Sequence, residues 1–308
     1  MSELILRTRE LTRRYGRTLA LDRASLSVEK GQILGLVGRN GAGKTTLIRL
    51  ISGQSRPTSG ELALFGASSP SALDRARSRT GVMVETPAFY PYLTAEQNLE
   101  YYRIQRGIPG RSCVDEALEL VRLTGAGKKK FKTFSLGMKQ RLGLALALMN
   151  QPEFLLLDEP INGLDPEGIV EFRELLLRLN RERQTTILIS SHILSELSAL
   201  ATHYAFIDRG RMLETISAAD LRERCRDCLE LRVDDAARAA QVLEEQLGTR
   251  DFEVLPQERL RLYAFLDQPQ TVNRVLMEQG VGLISAQQKD SNLEDYFLSL
   301  IDGHSAGK

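Results

Sequence analysis

The segment that most constrains the fold is a glycine-rich run at residues 38–45, which follows an apolar strand pattern and precedes a helical one. It fits the pattern G-x4-G-K-[ST]. Glycines let a backbone curl so that successive N–H groups point at one anion, and the next helix adds the positive end of its dipole. The sequence therefore predicts a strand–loop–helix unit that holds phosphate groups.

The polar side chains of this loop predict separate roles in binding ATP with Mg²⁺. We expect Lys44 to reach the β- and γ-phosphates and the Thr45 hydroxyl to ligate Mg²⁺. Thr46 is expected to donate to a more distal phosphate. The nucleotide-binding residues predicted in the loop are Gly38, Arg39, Asn40, Gly41, Ala42, Gly43, Lys44, Thr45 and Thr46.

A pair of acidic residues, Asp158 and Glu159, follows the apolar run at residues 154–157. Ligands of parallel α/β folds gather at the carboxyl ends of strands. We expect Asp158 to hold Mg²⁺ through its water shell, and Glu159 to orient and partly deprotonate an attacking water. An acidic turn that merely ends a strand would look the same, but the phosphate loop favours the catalytic interpretation.

Strand and helix patterns alternate along most of the chain, which predicts a mostly parallel α/β core. From residue 229 the order becomes βαββαβ, which is typical of a small ferredoxin-like domain. The predicted strands are 32–37, 154–157, 185–190, 229–233, 252–255, 260–265 and 282–286, and the predicted helices of the C-terminal part are 236–248, 271–279 and 292–301.

Composition narrows the possible functions. The chain has 308 residues, of which 42% are hydrophobic, and a formal net charge of +1. Two unequal domains are expected at this length, and the neutral charge does not favour a nucleic-acid partner. No apolar run approaches the roughly 20 residues that a membrane-spanning helix needs. These features predict a cytoplasmic protein.

Four further segments, together with the two motifs above, resemble the ABC ATPase family over residues 1 to about 215. Residues 134–141, Phe-Ser-Leu-Gly-Met-Lys-Gln-Arg, are similar to the family signature in an altered form. Residues 163–165 resemble the D-loop, and His192 resembles the switch histidine. Tyr15 falls where the family stacks an aromatic ring on adenine.

The resemblance implies the fold class and its divisions. We expect α/β, with a P-loop ABC ATPase core that has antiparallel β and helical subdomains, plus a small C-terminal α+β domain of ferredoxin-like type. The expected boundaries are a nucleotide-binding domain at 1–215 with its helical subdomain at about 87–150, a linker helix at 216–228, an accessory domain at 229–301 and a flexible tail at 302–308.

The resemblance also implies roles and partners. Ser135 and Gly137 would grip the γ-phosphate bound by a second copy of the chain, so a head-to-tail dimer with two ATP molecules is expected. Glu159, His192 and Lys44 would be the catalytic residues. A membrane-spanning permease would be the other partner, with residues 89–93 as a candidate receptor for it, which places the chain at the inner face of the cell membrane.

One departure from the family pattern is informative. Glu85 stands where the family usually has a glutamine that senses Mg²⁺ or water, so Glu85 joins Thr45 and Asp158 as a predicted metal-site residue. Glu85 combined with residues 135–138 resembles the bacitracin-resistance and lantibiotic-immunity branch. This resemblance implies export of a peptide antibiotic or a similar amphiphile.

Two alternatives remain at this level. A non-transport ABC ATPase acting on ribosomes or DNA would share the motifs, but such proteins usually carry two ATPase domains or long coiled coils, and this chain has one phosphate loop and no extended heptad tract. A P-loop kinase or GTPase would need neither the signature at residues 134–141 nor His192.

Overall fold

The computed structural model of the chain describes residues 3–84, 88–289 and 293–305. The chain forms two compact units, Met1–Ala218 and Ala219–Lys308, which we call the first unit and the second unit. The elements of the first unit are β1 (Leu4–Tyr15), β2 (Thr18–Glu29), β3 (Ile33–Val37), α1 (Lys44–Ser52), β4 (Ser59–Leu64), α2 (Pro70–Arg77), β5 (Thr80–Met83), α3 (Ala95–Gln105), α4 (Ser112–Leu120), α5 (Leu136–Leu148), β6 (Phe154–Asp158), α6 (Pro166–Arg183), β7 (Thr186–Ser191), α7 (Leu194–Ser198), β8 (His203–Asp208) and β9 (Arg211–Ser217).

A six-stranded sheet with the order β5-β6-β7-β3-β8-β9 forms the centre of the first unit. Its strands are parallel except for β9, which is antiparallel to β8. Every residue of β3, β6 and β7 is buried. Strands covered on both faces are rich in apolar residues, which explains the nearly continuous apolar runs in the sequence. The mostly parallel α/β core is confirmed.

A second sheet, antiparallel with the order β2-β1-β4, packs on the central one. The two sheets and α1 share one hydrophobic core, to which Leu6, Leu26, Ile48 and Leu156 contribute. The core fixes α1 against β6, so the phosphate loop that precedes α1 is held by packing at both of its ends.

The α-helices α3, α4 and α5 lie between β5 and β6 and form what we call the helical part. Thr94 begins α3 with a capping box, in which its hydroxyl accepts from Gln97 N and the Gln97 side chain accepts from Thr94 N. Ser135 begins α5, since its Oγ accepts from Met138 N at 3.3 Å. Side-chain caps of this kind satisfy N–H groups that have no partner inside the helix.

The second unit contains one four-stranded antiparallel sheet with the order β11-β12-β10-β13. Its helices α9 and α10 pack on one face, where Leu231, Leu243, Leu260 and Leu276 form the core. The opposite face is polar. The elements are α8 (Ala218–Arg224), β10 (Cys228–Val233), α9 (Ala236–Leu247), β11 (Phe252–Leu255), β12 (Arg259–Leu262), α10 (Pro269–Glu278), β13 (Leu283–Lys289) and α11 (Leu293–Ser305).

Element order in the second unit is β-α-β-β-α-β, as the sequence predicts, while several boundaries differ. The predicted strand 260–265 ends at Leu262, and Phe265 has a φ of 59°, which no strand residue adopts. The helix predicted from residue 271 begins at Pro269, because proline fits the first helical turn, where its missing N–H has no partner. The linker helix expected at 216–228 is limited to Ala218–Arg224, with β strands on both sides.

Gly81 in β5 supplies a test of the packing between the central sheet and the helical part. A Cβ at Gly81 would lie 2.3 Å from the carbonyl oxygen of Ala147 in α5 and 2.7 Å from Leu155 Cδ2. Gly81→Ala should therefore lower the free energy of unfolding by about 1–3 kcal/mol, because β5 and α5 must move apart. Urea unfolding measures this change.

Gly125→Ala is the matched control, because no heavy atom lies within 4 Å of a Cβ built at Gly125. We expect little change in that variant. Equal stability of the two variants would contradict the tight packing of β5 on α5.

Candidate functional site

The phosphate loop between β3 and α1 depends on its glycines. Gly41 and Gly43 have φ angles of 80° and 112°, which residues with a Cβ atom rarely adopt. Gly38 has an ordinary φ but no room, since a Cβ there would lie 2.5 Å from the carbonyl oxygen of Ile207 in β8. The loop therefore keeps a curl that turns its N–H groups and the start of α1 toward one place.

Lys44, the first residue of α1, is buried, and its ammonium lies over the loop. Its Nζ donates to the carbonyl oxygens of Gly38 at 2.7 Å and Arg39 at 3.3 Å, and forms an ion pair with Glu159 Oε1 at 3.0 Å. The ammonium is thus held by backbone oxygens of the loop and by one carboxylate. An anionic ligand in the loop would meet a cation already in place.

Asp158, at the end of β6, is held by hydroxyl groups on both sides. Thr45 Oγ1 donates to its Oδ2 at 2.7 Å, and Ser190 Oγ donates to its Oδ1 at 2.6 Å. Ser190 Oγ also accepts from Glu159 N at 2.9 Å. These bonds connect α1, β6 and β7 through one buried carboxylate.

Ser190 is a site residue that the sequence analysis missed. Nothing in the sequence around Ser190 points to a contact with Asp158. The two residues are partners in the parallel ladder between β6 and β7. That register is a non-local property, and its only local signal is a hydroxyl residue at the end of an apolar strand.

Glu159 has an unusual backbone and two charged or titratable partners. Its φ is 47°, in the left-handed region that costs energy for a residue other than glycine. Its Oε1 contacts Lys44, and its Oε2 lies 2.6 Å from His192 Nδ1. The strained backbone directs the side chain back over the phosphate loop and across to the residue that follows β7.

Most of the predicted residues meet in one cavity of about 590 Å³. The charged residues of its lining are Lys44, Asp158 and Glu159, and His192 lies beside them. The lining residues are Ala20, Asn40, Gly41, Ala42, Gly43, Lys44, Thr45, Thr46, Leu136, Gln140, Asp158, Glu159, Asn162 and His192. The cavity combines backbone N–H donors, a buried ammonium and two acids, a set suited to binding and hydrolysing a polyphosphate.

Tyr15 and Arg39 do not line this cavity. Tyr15 ends β1 with an exposed ring, and its hydroxyl lies 3.2 Å from Ser55 Oγ. That hydrogen bond lowers the pKa of Tyr15, and the Arg13 guanidinium, 4.4 Å from the ring centre, acts in the same direction. The Arg39 side chain is exposed, so only its backbone contributes to the loop.

The signature segment contributes different residues from those predicted. Ser135 and Gly137 do not line the cavity, whereas Leu136 and Gln140 of α5 do. Gln140 Oε1 is buried and has no hydrogen-bond partner among the described residues. Gln140 is therefore a second candidate that the sequence analysis missed, although it lies within the signature at residues 134–141.

The D-loop and Glu85 are two further predicted features of the site. Gly163 has a φ of 77°, and a Cβ there would lie 2.7 Å from Leu136 Cδ2, so the D-loop packs on the start of α5. Asp165 then begins α6 by accepting from Gly168 N at 3.0 Å. Glu85 lies outside the described residues, and its assignment to the metal site remains a prediction.

Comparison with known proteins gives one consistent result. A family described as "ABC transporter" matches residues 21–162. The chain is 42% identical to the bacitracin transport ATP-binding protein BcrA of Bacillus licheniformis, over 98% of this chain and 99% of that protein. It is 38% identical to the lantibiotic transport ATP-binding protein SrtF of Streptococcus pyogenes, over 68% and 89% respectively.

Solved structures agree with the sequence comparison. The structure of cbiO1 from Clostridium perfringens, part of the ABC transporter complex cbiONQ, superposes with a TM-score of 0.65. It is 26% identical and covers 72% of this chain and 91% of its own. The likeness covers about the length of the first unit.

The hydroxyl of Ser190 supplies a test of the acid pair. Ser190→Ala removes a hydrogen-bond donor to the buried Asp158 carboxylate and the acceptor of Glu159 N, and leaves each without that partner. We expect the turnover number for ATP hydrolysis to fall about tenfold or more with little change in KM, because the acids lose their orientation while the phosphate loop stays intact. Steady-state phosphate release measures both constants.

Ser191→Ala is the matched control, since Ser191 is equally buried and lies on the same strand. Its hydroxyl contacts the Glu196 side chain and the backbone of Ile193, but forms no hydrogen bond with Asp158 or Glu159. A similar loss of turnover in both variants would mean that Ser190 acts only through general stability.

Proposed function

Because this chain belongs to the ABC transporter family as an ATP-binding and ATP-hydrolysing subunit, we propose that it drives the export of a peptide antibiotic or a similar amphiphile. The observation that carries the proposal is the meeting of Lys44, Thr45, Asp158, Glu159 and His192 in one cavity. Full-length similarity to a bacitracin transport protein supports the class of cargo.

In this proposal the phosphate loop binds the β- and γ-phosphates of ATP through its N–H groups and Lys44. Lys44 Nζ contacts Glu159 Oε1 at 3.0 Å, so a phosphate oxygen and the Glu159 carboxylate compete for the same ammonium. A γ-phosphate that forms an ion pair with the Lys44 ammonium therefore releases the Glu159 carboxylate to contact another group. Binding of the substrate would thus prepare the base.

Glu159 is the proposed general base. A carboxylate at the carboxyl end of β6 can accept a proton from a water that attacks the γ-phosphate. His192 Nδ1, 2.6 Å from Glu159 Oε2, orients the carboxylate and leaves its other ring nitrogen for the γ-phosphate. The geometry supports these roles for Glu159, His192 and Lys44.

Thr45 and Asp158 are the proposed protein partners of Mg²⁺. Their oxygen atoms, 2.7 Å apart, are a hydroxyl and a carboxylate, both of the hard type that Mg²⁺ prefers. No group of three or more acid, histidine or cysteine side chains among the described residues could hold a metal. A site with few protein ligands fits Mg²⁺, which keeps waters and substrate phosphates as its other ligands and would neutralise phosphate charge.

A second copy of the chain would complete the site. Ser135 and Gly137 at the start of α5 do not line the cavity of their own chain, so their N–H and hydroxyl groups are free to meet ATP on another copy. Ser135 Oγ accepts from Met138 N and can still donate its own proton. A head-to-tail dimer with two ATP molecules follows from this separation.

The permease partner would dock on an aromatic surface of the helical part, which we define as Tyr90, Tyr92, Tyr101 and Ile104. All four side chains are exposed, Tyr92 to 71%. The Tyr90 and Tyr101 rings pack edge to face at 4.8 Å, and Lys132 Nζ lies 5.0 Å from the Tyr92 ring. Exposed rigid rings of this kind are typical of protein interfaces.

No helix among the described residues has the length and apolar character needed to cross a membrane. We place the chain at the inner face of the cell membrane, bound to its permease. The alternative, an ABC ATPase acting on ribosomes or DNA, is not favoured by relatives whose names describe transport.

Glu159→Gln tests the proposed base. The amide keeps the shape of the side chain but cannot accept the proton, so steady-state ATP hydrolysis should fall by about a hundred- to ten-thousandfold while ATP binding persists. An ATP-locked dimer should accumulate and be visible by size-exclusion chromatography. Glu153→Gln, which changes a remote carboxylate paired with Arg79, is the control and should hydrolyse ATP normally. Wild-type turnover in Glu159→Gln would exclude the role.

Tyr92→Ala tests the aromatic surface. Tyrosine is over-represented among the interface residues whose loss weakens binding most. Less permease should therefore co-purify, by about tenfold or more, and antibiotic resistance should drop. The ATPase activity of the isolated chain should not change. Val170→Ala, at a different exposed apolar residue on α6, is the control. Full co-purification with Tyr92→Ala and with Tyr101→Ala would place the permease elsewhere.

A further inference from the structure

We propose that the second unit carries a binding site for a small phosphomonoester dianion on the polar face of its four-stranded sheet, between Arg232 and Arg259. The site is separate from the ATP cavity and does not depend on the proposed function. It is a cavity of about 300 Å³ lined by Glu230, Arg232, Gln257, Arg259, Ser285 and Gln287.

Strand register brings the two arginines together. Arg232 of β10 is the direct partner of Arg259 in the antiparallel ladder with β12, and of Ser285 in the ladder with β13. Direct partners in a ladder point to the same face of a sheet. The flanking residues Leu231 and Leu260 are in the core, so both guanidinium groups and the serine hydroxyl point to the polar face.

No carboxylate among the described residues forms an ion pair with either arginine. The Arg259 Nε donates to the carbonyl oxygen of Pro256 at 3.2 Å. Like charges directly opposite each other destabilise a sheet. The pair therefore costs folding energy in the absence of an anion, and an anion bound between the two guanidinium groups would reverse that cost.

Glu230, the one acid in the lining, does not cancel this positive charge. Lys289 Nζ lies 2.9 Å and Arg261 Nε 3.7 Å from its Oε2. The hydrogen bond from Lys289, with Arg261 and Arg259 nearby, lowers the pKa of Glu230. Lys289 and Arg261, which do not line the cavity, therefore match the Glu230 carboxylate and leave Arg232 and Arg259 as a net double positive charge.

The neutral lining residues select a phosphate in preference to a simple carboxylate. Ser285, Gln257 and Gln287 can each donate a hydrogen bond, in addition to the forked donors of two guanidinium groups. A phosphomonoester offers three oxygens and up to two negative charges, which match this number of donors and the charge of the arginine pair. The volume admits the phosphate group with a small organic body.

Gln257 reaches the site because of a strained turn. Pro256, Gln257 and Glu258 join β11 to β12, and Gln257 and Glu258 have φ angles of 64° and 54°, where asparagine and glycine are usual. Glu258 uses this conformation to accept from Ala236 N at the start of α9, at 2.6 Å. The same turn holds the amide of Gln257 at the rim of the cavity.

Hydrogen–deuterium exchange of the full chain tests the proposal, because it separates this site from the phosphate loop peptide by peptide. Inorganic phosphate and glycerol 3-phosphate are the probes, compared with chloride at equal ionic strength. Each should slow exchange in β10, β12 and β13 of the wild-type chain. Arg232→Gln and Arg259→Gln should each raise the phosphate concentration for half-maximal protection about tenfold or more.

Arg250→Gln is the matched control, because Arg250 is an exposed arginine of the same unit, near Glu244 and outside the cavity. It should leave the protection unchanged. In chloride alone, Arg232→Gln should be at least as stable to urea as the wild type, since it removes the repulsion.

Three results would overturn the proposal. The first is no protection of these strands by either probe, and the second is protection that persists in both arginine variants. The third is arginine-dependent protection by vesicles containing phosphatidic acid but none by the soluble probes, which would assign the arginine pair to a membrane surface.

Discussion

The Glu159 carboxylate contacts two elements at once, the Lys44 ammonium on the phosphate loop and the His192 ring after β7. This bridge exists because β3, β7 and β6 are adjacent parallel strands, so their carboxyl ends lie side by side. The buried apolar runs of the three strands hold that order, and the loops at their ends carry the chemistry. The chemical site is thus a consequence of how three hydrophobic strands pair.

The parts of this site that could be predicted from sequence are those whose chemistry needs a local pattern. The phosphate loop requires glycines at Gly41 and Gly43 because of their φ angles, so its spacing is visible in the chain. Ser190 could not be found in this way, since its role comes from its pairing with Asp158 across two strands. Gln140 was missed because a buried amide without a partner is recognisable only when its surroundings are known.

The second unit shows the same division between local and non-local information. Hydrophobic alternation and turn residues predict the order of its elements, because each pattern spans only a few residues. The pairing of Arg232 with Arg259 depends on the register between β10 and β12 and joins residues 27 positions apart in the sequence (259 − 232). No local sequence pattern predicts it. Phe265 shows a smaller failure. The composition of residues 260–265 favours one strand, but β12 ends at Leu262 and the positive φ of Phe265 is incompatible with a strand.

The left-handed backbone of Glu159 has an evolutionary consequence. Glycine or asparagine would adopt a φ of 47° more easily and could recover about 1 kcal/mol or more of strain. Either substitution would also delete the carboxylate that bridges Lys44 and His192. With Glu159 in its proposed role as the base, selection for a more stable chain and selection for faster ATP hydrolysis act in opposite directions at this position.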